Sequence, residues 1–371
     1  MRVLICGGGT AGHIMPGIAI AEYIKECDGT SEIMFVGRKN GQENSLILNA
    51  GFPLETIEIS GFRRSLSPKN ISTALKTVIA LGKAFKILRA FAPNVAVGTG
   101  GYVCWPIIKM AQLMKIPTVI HESNAYPGLT TRMLASKCDK VLLNLEECKA
   151  HLKRIDNTLV VGNPLRSSLI KGTRAAARKK LKIADSDIFI LSFGGSGGSD
   201  VMNSHLISLM KAVSEKNRRI RHLHATGKKY YDTAAKSSPE LIKALGRCRI
   251  VPFIEDMPTY MLAADIVISR AGAMTLSEIS AAGVASILIP SPNVTDNHQY
   301  KNAKAYESVG GAIVILESEL NDEILAERVI ELIQKRRLRR AIADAARGLH
   351  VQNSLHKICT EIEAVKNRKK Q

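Results

Sequence analysis

Short apolar runs alternate along the whole chain with longer amphipathic stretches, and this rhythm constrains the fold more than any other feature. Residues 3–6, 33–36, 95–97, 118–120 and 141–143 each have the length and apolarity of a strand buried on both faces, with helical patterns between them. After Asn163 and Pro164 a second series begins, at residues 188–193, 221–225, 249–251, 266–269, 286–289 and 312–315. Strands separated by helices pair in parallel, so the chain is expected to form two doubly wound α/β sheets, Rossmann-like in class, around a cleft between them.

The turn Gly162, Asn163, Pro164 separates the two series, because proline breaks pairing and Asn and Gly tolerate turn geometry. The expected segments are residues 1–163, 164–345 and a basic helix or tail, 346–371, packing back on the first domain. A basic helical stretch is expected at 168–181 and a single long helix at 320–346. From Gln334 to Gln371 the chain carries 11 basic and 3 acidic residues.

A length of 371 residues at 46% hydrophobic content is enough for two cores. No run of about 18 uncharged apolar residues occurs, and the first strand leads into glycines rather than a cleavage site, so neither a membrane span nor export is expected. Seven cysteines at irregular spacing form no CxxC pair and no ligand cluster with histidine, which favours a reducing cytoplasm and no metal. The net charge of +19 draws polyanions, either an anionic lipid surface or a diphosphate. Nucleic acid is disfavoured, since aromatics are only 5% and do not alternate with Lys and Arg.

Both halves carry a glycine-rich turn from strand to helix. In the first, MRVLIC leads into GGGTAGH at residues 7–13, where glycines let backbone amides approach an anion at a helix start. Gly7, Gly9 and Gly12 also fit the dinucleotide fingerprint, which expects an acid at the end of the second strand. That strand ends instead in Val36, Gly37, Arg38 and Lys39. An NADP site would accommodate Arg38, so a dehydrogenase stays open on these residues alone. His13, just past the last glycine, is placed to take a proton from a hydroxyl. In the second half, ILSFGGSGGSD at residues 190–200 repeats the device, with Ser196 positioned for a phosphate.

Two further segments, VPFIEDMPTYMLAADIVISRAGAMTLSEISAAG (251–283) and SPNVTDNHQYKNA (291–303), complete a set with GFRRS (61–65), GTGGY (98–102), HESNAYPGLTTR (121–132) and GNPLR (162–166). Together with the two turns they resemble the MurG family, the GT-B glycosyltransferases that synthesise lipid II of peptidoglycan. The resemblance runs from the first strand to about residue 303. It implies a GT-B fold, no cofactor and no metal, and inverting transfer of GlcNAc from UDP-GlcNAc to the C4 hydroxyl of the muramyl sugar of lipid I. It implies that the second domain holds the donor and the first the acceptor.

By that resemblance Arg166 and Ser196 lie near the diphosphate, the Ile254 backbone near uracil, and Ala273, Met274, Thr275, Leu276, Ser277 and Glu278 around diphosphate and ribose. Gln299 is directed to the sugar, which it can both donate to and accept from. Thr10, Ala11, Gly12 and Asn124 would meet the transferring GlcNAc. Gly9, Gly100, Gly101 and Tyr102 would face the acceptor pyrophosphate. His13 is the candidate base and Glu122 the second choice.

The partners implied are UDP-GlcNAc, lipid I, an anionic membrane surface and other cell-wall synthesis proteins, with a peripheral position on the cytoplasmic membrane face. Residues 71–92 are the candidate membrane contact, through Leu75, Val78, Ile79, Phe85 and Leu88 beside Lys69, Lys76, Lys83, Lys86 and Arg89. The chain departs from the family pattern at Ala11, at Gly197 in place of glutamine, at His298 in place of glutamine, and at Cys104 and Trp105 in place of small residues. A related GT-B enzyme with another lipid acceptor, a UDP-GlcNAc epimerase and a non-catalytic UDP-sugar or membrane-binding protein share the architecture.

Overall fold

The computed structural model describes residues 1–39, 41, 43–59, 69–216, 219–236 and 247–368. It divides into two units, one of Met1–Leu165 with Val351–Gln371, the other of Arg166–His350. The unit boundaries fall two residues past Asn163 and five past Ala345. The GFRRS motif lies outside the described residues.

In the first unit seven strands pair in parallel: β1 (Arg2–Cys6), β2 (Glu32–Arg38), β3 (Leu54–Ile57), β4 (Val95–Gly98), β5 (Thr118–Glu122), β6 (Lys140–Leu143) and β7 (Thr158–Val160), in the order β3-β2-β1-β4-β5-β6-β7. Val3, Leu4, Ile5 and Cys6 of β1 are all fully buried, as expected of a central strand covered on both faces. Their alternation divides the core. Leu4 and Cys6 pack with α3 (Lys69–Phe91) and α4 (Cys104–Leu113). Val3 and Ile5 pack with α1 (Ala11–Cys27) and with the helix Ser354–Arg368. The tail thus belongs to the first unit through Ile358, Cys359, Ile362 and Val365, and truncating Ile362 to Ala would cost about 2–5 kcal/mol.

Strands β3 and β7 were not marked by apolar runs because they are short edge strands whose residues are mostly half-exposed. The order reverses between β1 and β4, so the turns after β1, β4 and β5 gather at the carboxyl edge of the sheet, where open α/β sheets bind ligands.

The second unit holds β8 (Ile188–Phe193), β9 (Ile220–Ala225), β10 (Cys248–Val251), β11 (Ile266–Ser269), β12 (Ala285–Leu288) and β13 (Ile313–Val314), all parallel, in the order β10-β9-β8-β11-β12-β13. Two expected helices are in fact pairs. The stretch 168–181 forms Ser167–Lys171 and Arg174–Lys180, separated by Gly172 and by Thr173, whose hydroxyl accepts from the Ala176 amide at 3.2 Å. The stretch 320–346 forms Asp322–Gln334 and Arg336–Gly348, broken at Lys335, whose ψ of 78° is not helical.

The apolar stripe of α3 also divides. Val78, Ile79 and Phe85 are exposed at 65%, 61% and 40%, beside exposed Lys83, Lys86 and Arg89, whereas Leu88 is buried in the core. The side chains of Lys69 and Leu75 lie outside the described residues. No helix among the described residues is long and apolar enough to cross a membrane.

Candidate active site

The sequence Gly7, Gly8, Gly9 carries the chain from β1 into α1 against the turn after β4. Gly9, Gly100 and Gly101 have φ of +90°, +112° and +83°, a region that favours glycine. Contact requires glycine as well: a Cβ on Gly101 would lie 2.2 Å from the Gly8 carbonyl oxygen, and one on Gly100 would lie 2.5 Å from Cδ2 of His13. The two turns therefore stack with the His13 ring between them and α1. The Thr99 hydroxyl donates to the His13 carbonyl at 2.7 Å.

His13 Nδ1 lies 3.2 Å from the Gly8 carbonyl oxygen and 3.4 Å from the Thr10 hydroxyl. A carbonyl only accepts, so the ring donates from Nδ1 and carries its lone pair on Nε2. That tautomer suits a base acting through Nε2.

Beneath this turn sits a residue that sequence reasoning passed over. Glu43, the first residue of α2 (Glu43–Asn49), is fully buried, and its Oε1 accepts from the amides of Gly9 at 3.3 Å and Arg38 at 3.0 Å. The Gly9 amide, expected to face the acceptor pyrophosphate, is engaged inside the protein on a carboxylate. The Ala11 and Gly12 amides open α1 without a side-chain cap or an acidic first turn, and Gly101 and Tyr102 lie just ahead of α4, which likewise has neither. Ala11 lies inside the helix, so the glycine of the family pattern is not needed there.

Tyr102 accepts at its hydroxyl from Arg38 Nη1 at 2.7 Å and lines Gly9. Cys104 is a packing residue: it is buried, and its thiol lies 3.0 Å from the Gly100 carbonyl oxygen. Trp105 is half-buried against the same core.

Glu122, the second choice as base, is instead a scaffold. Its buried carboxylate accepts from the Asn124 amide at 3.1 Å, the Asn124 side chain at 3.0 Å, the Gly128 amide at 3.0 Å and the Thr131 hydroxyl at 2.7 Å. Four donors occupy it, and it fixes the loop that presents Asn124, ahead of α5 (Leu129–Leu134).

In the second unit, Gly195 and Gly198 of the turn after β8 have φ of +90° and +75°. Ser196 is exposed at its tip, and Gly197 has open space around its Cα. Beside the turn lies a cavity of about 330 Å³ lined by Gly194, Gly198, Ser199, Arg270, Gln299 and Glu317, among others. Arg270, almost fully buried, donates to the Ser199 hydroxyl at 2.7 Å, to the Ile289 carbonyl at 3.1 Å and to Glu317. It is a second residue that sequence reasoning missed. Gln299 accepts at Oε1 from the Ser291 amide at 2.9 Å, which fixes the side chain by one of that oxygen's two lone pairs.

The backbone before Gln299 is strained, with Asp296 and Asn297 at φ of +56° and +51°. His298 is half-buried, with Nδ1 2.7 Å from the Thr295 carbonyl oxygen.

The helix Ala273–Ala282 opens at Gly272 with no side-chain cap, leaving the Met274 and Thr275 amides at its positive end. Leu276 and Ser277, expected around the donor, are buried, and the Leu276 amide closes the first turn on the Gly272 carbonyl at 3.0 Å. Burial pushes the Glu278 carboxyl up to about 7, against the pull of the Arg166 guanidinium. Ile254 is buried beside exposed Phe253. Behind the turn, the Ser192 hydroxyl lies 2.7 Å from His222 Nε2 and 2.9 Å from His224 Nδ1, and Asn203 links His224 at 3.0 Å to the Thr226 carbonyl at 3.1 Å. Burial holds both imidazoles below their ordinary pKa, that of His224 at about 4.

The structure thus gathers Gly9, Thr10, His13, Gly100, Gly101 and Tyr102 at one edge of the first unit, with Asn124 on its own loop. It gathers Gln299 with Arg270, and Glu278 with Arg166, in the second. Among the described residues no group of three His, Cys, Asp or Glu could hold a metal.

Residues 3–143 match the glycosyltransferase family 28 N-terminal domain and residues 189–358 its C-terminal domain. A protein of Acetivibrio thermocellus named UDP-N-acetylglucosamine--N-acetylmuramyl-(pentapeptide) pyrophosphoryl-undecaprenol N-acetylglucosamine transferase is 39% identical over 369 residues, covering 100% of this chain and 99% of its own. A Thermoanaerobacter protein of the same name is 40% identical over 366 residues, covering 98% and 100%. The crystal structure of Acinetobacter baumannii MurG is similar at a TM-score of 0.77 and 26% identity, covering 98% and 99%. A UDP-GlcNAc 2-epimerase from Neisseria meningitidis shares the fold at a TM-score of 0.68 but only 15% identity, covering 98% and 100%. Two parallel sheets with these turns, matched by relatives over their full length, make this chain a member of glycosyltransferase family 28, of the two-domain GT-B fold.

Proposed function

We propose that the chain transfers GlcNAc from UDP-GlcNAc to the C4 hydroxyl of the MurNAc in undecaprenyl-pyrophosphoryl-MurNAc-pentapeptide, lipid I, with inversion, giving lipid II and UDP. The observation that carries this reading is the identity of 39–40% over essentially the full length of relatives named for that transfer. The epimerase shares only the fold.

In this reading the acceptor oxygen attacks the anomeric carbon as the bond to the UDP phosphate breaks, and His13 Nε2 takes the hydroxyl proton. One displacement converts the α-linked donor to a β-linked product. Thr10, Ala11, Gly12 and Asn124 hold the moving sugar, while Gly100, Gly101 and Tyr102 hold the acceptor pyrophosphate. UDP gains charge as it departs, and Arg166, Ser196 and the Met274 and Thr275 amides offset it. Glu278 receives the ribose hydroxyls, Gln299 donates to the sugar, and the Ile254 backbone faces uracil. Val78, Ile79 and Phe85 with Lys83, Lys86 and Arg89 support a peripheral contact with the anionic cytoplasmic membrane face, where the acceptor resides.

The test is UDP release from purified protein and UDP-GlcNAc with and without lipid I. Release only with lipid I, together with lipid II, is the expected result. Interconversion of the UDP-sugar without acceptor would replace this reading with the epimerase.

A further inference from the structure

Glu43 has no role in the chemistry proposed above, yet its surroundings are built for it. A Cβ on Gly8 would lie 2.3 Å from Oε1, one on Gly37 2.5 Å from Cγ, and one on Gly41 2.0 Å from Oε2. Three glycines therefore close on one side chain, Gly8 and Gly41 on its carboxylate and Gly37 on its stem. Oε1 bridges two amides, those of Gly9 and Arg38, and so ties the first turn to the end of β2. Among the described residues, Oε2 is buried with no hydrogen-bond partner. Burying an acid in this way is costly, and removing it would leave the Gly9 and Arg38 amides without their acceptor, so its place under the turn is a matter of what it holds rather than of filling space.

The Gly9 amide that Glu43 holds belongs to the same peptide unit as the Gly8 carbonyl, the group that receives His13 Nδ1. Orientation passes along this path: Glu43 holds the Gly9 amide, the same peptide plane fixes the direction of the Gly8 carbonyl, and that carbonyl fixes the ring and its tautomer. Arg38, held at its amide by the same oxygen, carries the second branch through its guanidinium to the Tyr102 hydroxyl at 2.7 Å. We infer that Glu43 is a positioning residue for the transfer, which sets the His13 tautomer and the Tyr102 side of the acceptor turn from beneath. The inference rests on the function proposed above for its kinetic part only.

The experiment compares wild type, Glu43→Gln and Glu43→Ala, full-length, in three measurements. They are kcat and KM for each substrate with lipid I and UDP-GlcNAc, affinity for UDP, and the His13 tautomer by ¹⁵N NMR, assigned by loss of its signals in His13→Asn. Glu43→Ala is expected to lower kcat at least tenfold and raise the lipid I KM, with UDP affinity unchanged and the Nδ1–H form of His13 no longer dominant. Glu43→Gln keeps an acceptor oxygen on both amides and is expected to stay within about threefold of wild type. A Glu43→Ala protein with wild-type kcat and tautomer overturns the inference, as does one that loses UDP affinity in step with kcat. If wild type itself fails to transfer, the proposed function falls, while the tautomer comparison still decides the role of Glu43.

Discussion

Both sheets deliver a glycine-rich turn from strand to helix, and the charges set behind the two turns are opposite. Behind Gly7, Gly8 and Gly9 lies the buried carboxylate of Glu43, which takes the Gly9 amide for itself. Beside Gly194 and Gly198 lies the buried guanidinium of Arg270, facing a cavity of about 330 Å³ and balanced by Glu317. A negative charge under a turn works against an anion and a positive one works for it. Equivalent glycine patterns therefore stand over opposite charges, and in the function proposed above the second receives the nucleotide diphosphate while the first positions a histidine.

The largest effect expected from breaking this contrast is at His13. His13→Ala should lower kcat by about 10²–10⁴-fold, the range of a positioned base, while UDP-GlcNAc affinity, measured by calorimetry, stays as in wild type. Near-normal turnover would remove His13 as the base. Arg270→Ala comes next. It leaves Glu317, 17% exposed, without its partner, a loss of about 1–3 kcal/mol, and should weaken UDP binding at least tenfold. Denaturant melts with UDP titrations check both.

A third effect concerns acid. His222 and His224 are held neutral by burial, so their contribution to folding is complete above their ordinary pKa of 6.5 and is lost as the pH falls toward about 4. For His224 the loss amounts to about 3 kcal/mol. Melting curves from pH 7 to 4 should show it, and His224→Gln should flatten the dependence. The smallest effect is expected at Gly197, where the family carries glutamine. No atom lies within 4 Å of a Cβ there and its φ is not positive, so Gly197→Gln should change stability by no more than about 0.5 kcal/mol.

The alternation of apolar runs made the two parallel sheets legible, because central strands such as β1 and β11 are buried on both faces. Edge strands β3 and β7 were not, since half-exposed residues leave no such run. At the site, glycines with positive φ and His13 stand out in sequence. The roles of Glu43 and Arg270 do not, because a burial of charge is decided there by contacts between distant segments. Glu43 meets Gly9 across 34 positions, and Arg270 meets Glu317 across 47. Glu122 looked like a base for a different reason: its donors come from Asn124, Gly128 and Thr131, within nine positions, but only the fold of that loop turns four of their groups onto the carboxylate.

The division of labour between the two turns is tested most directly by hydrogen exchange, read by mass spectrometry with and without saturating UDP. UDP should slow exchange in peptides covering residues 194–201 and 272–278 and leave residues 7–13 unchanged. Protection at residues 7–13 with none at 194–201 would contradict it.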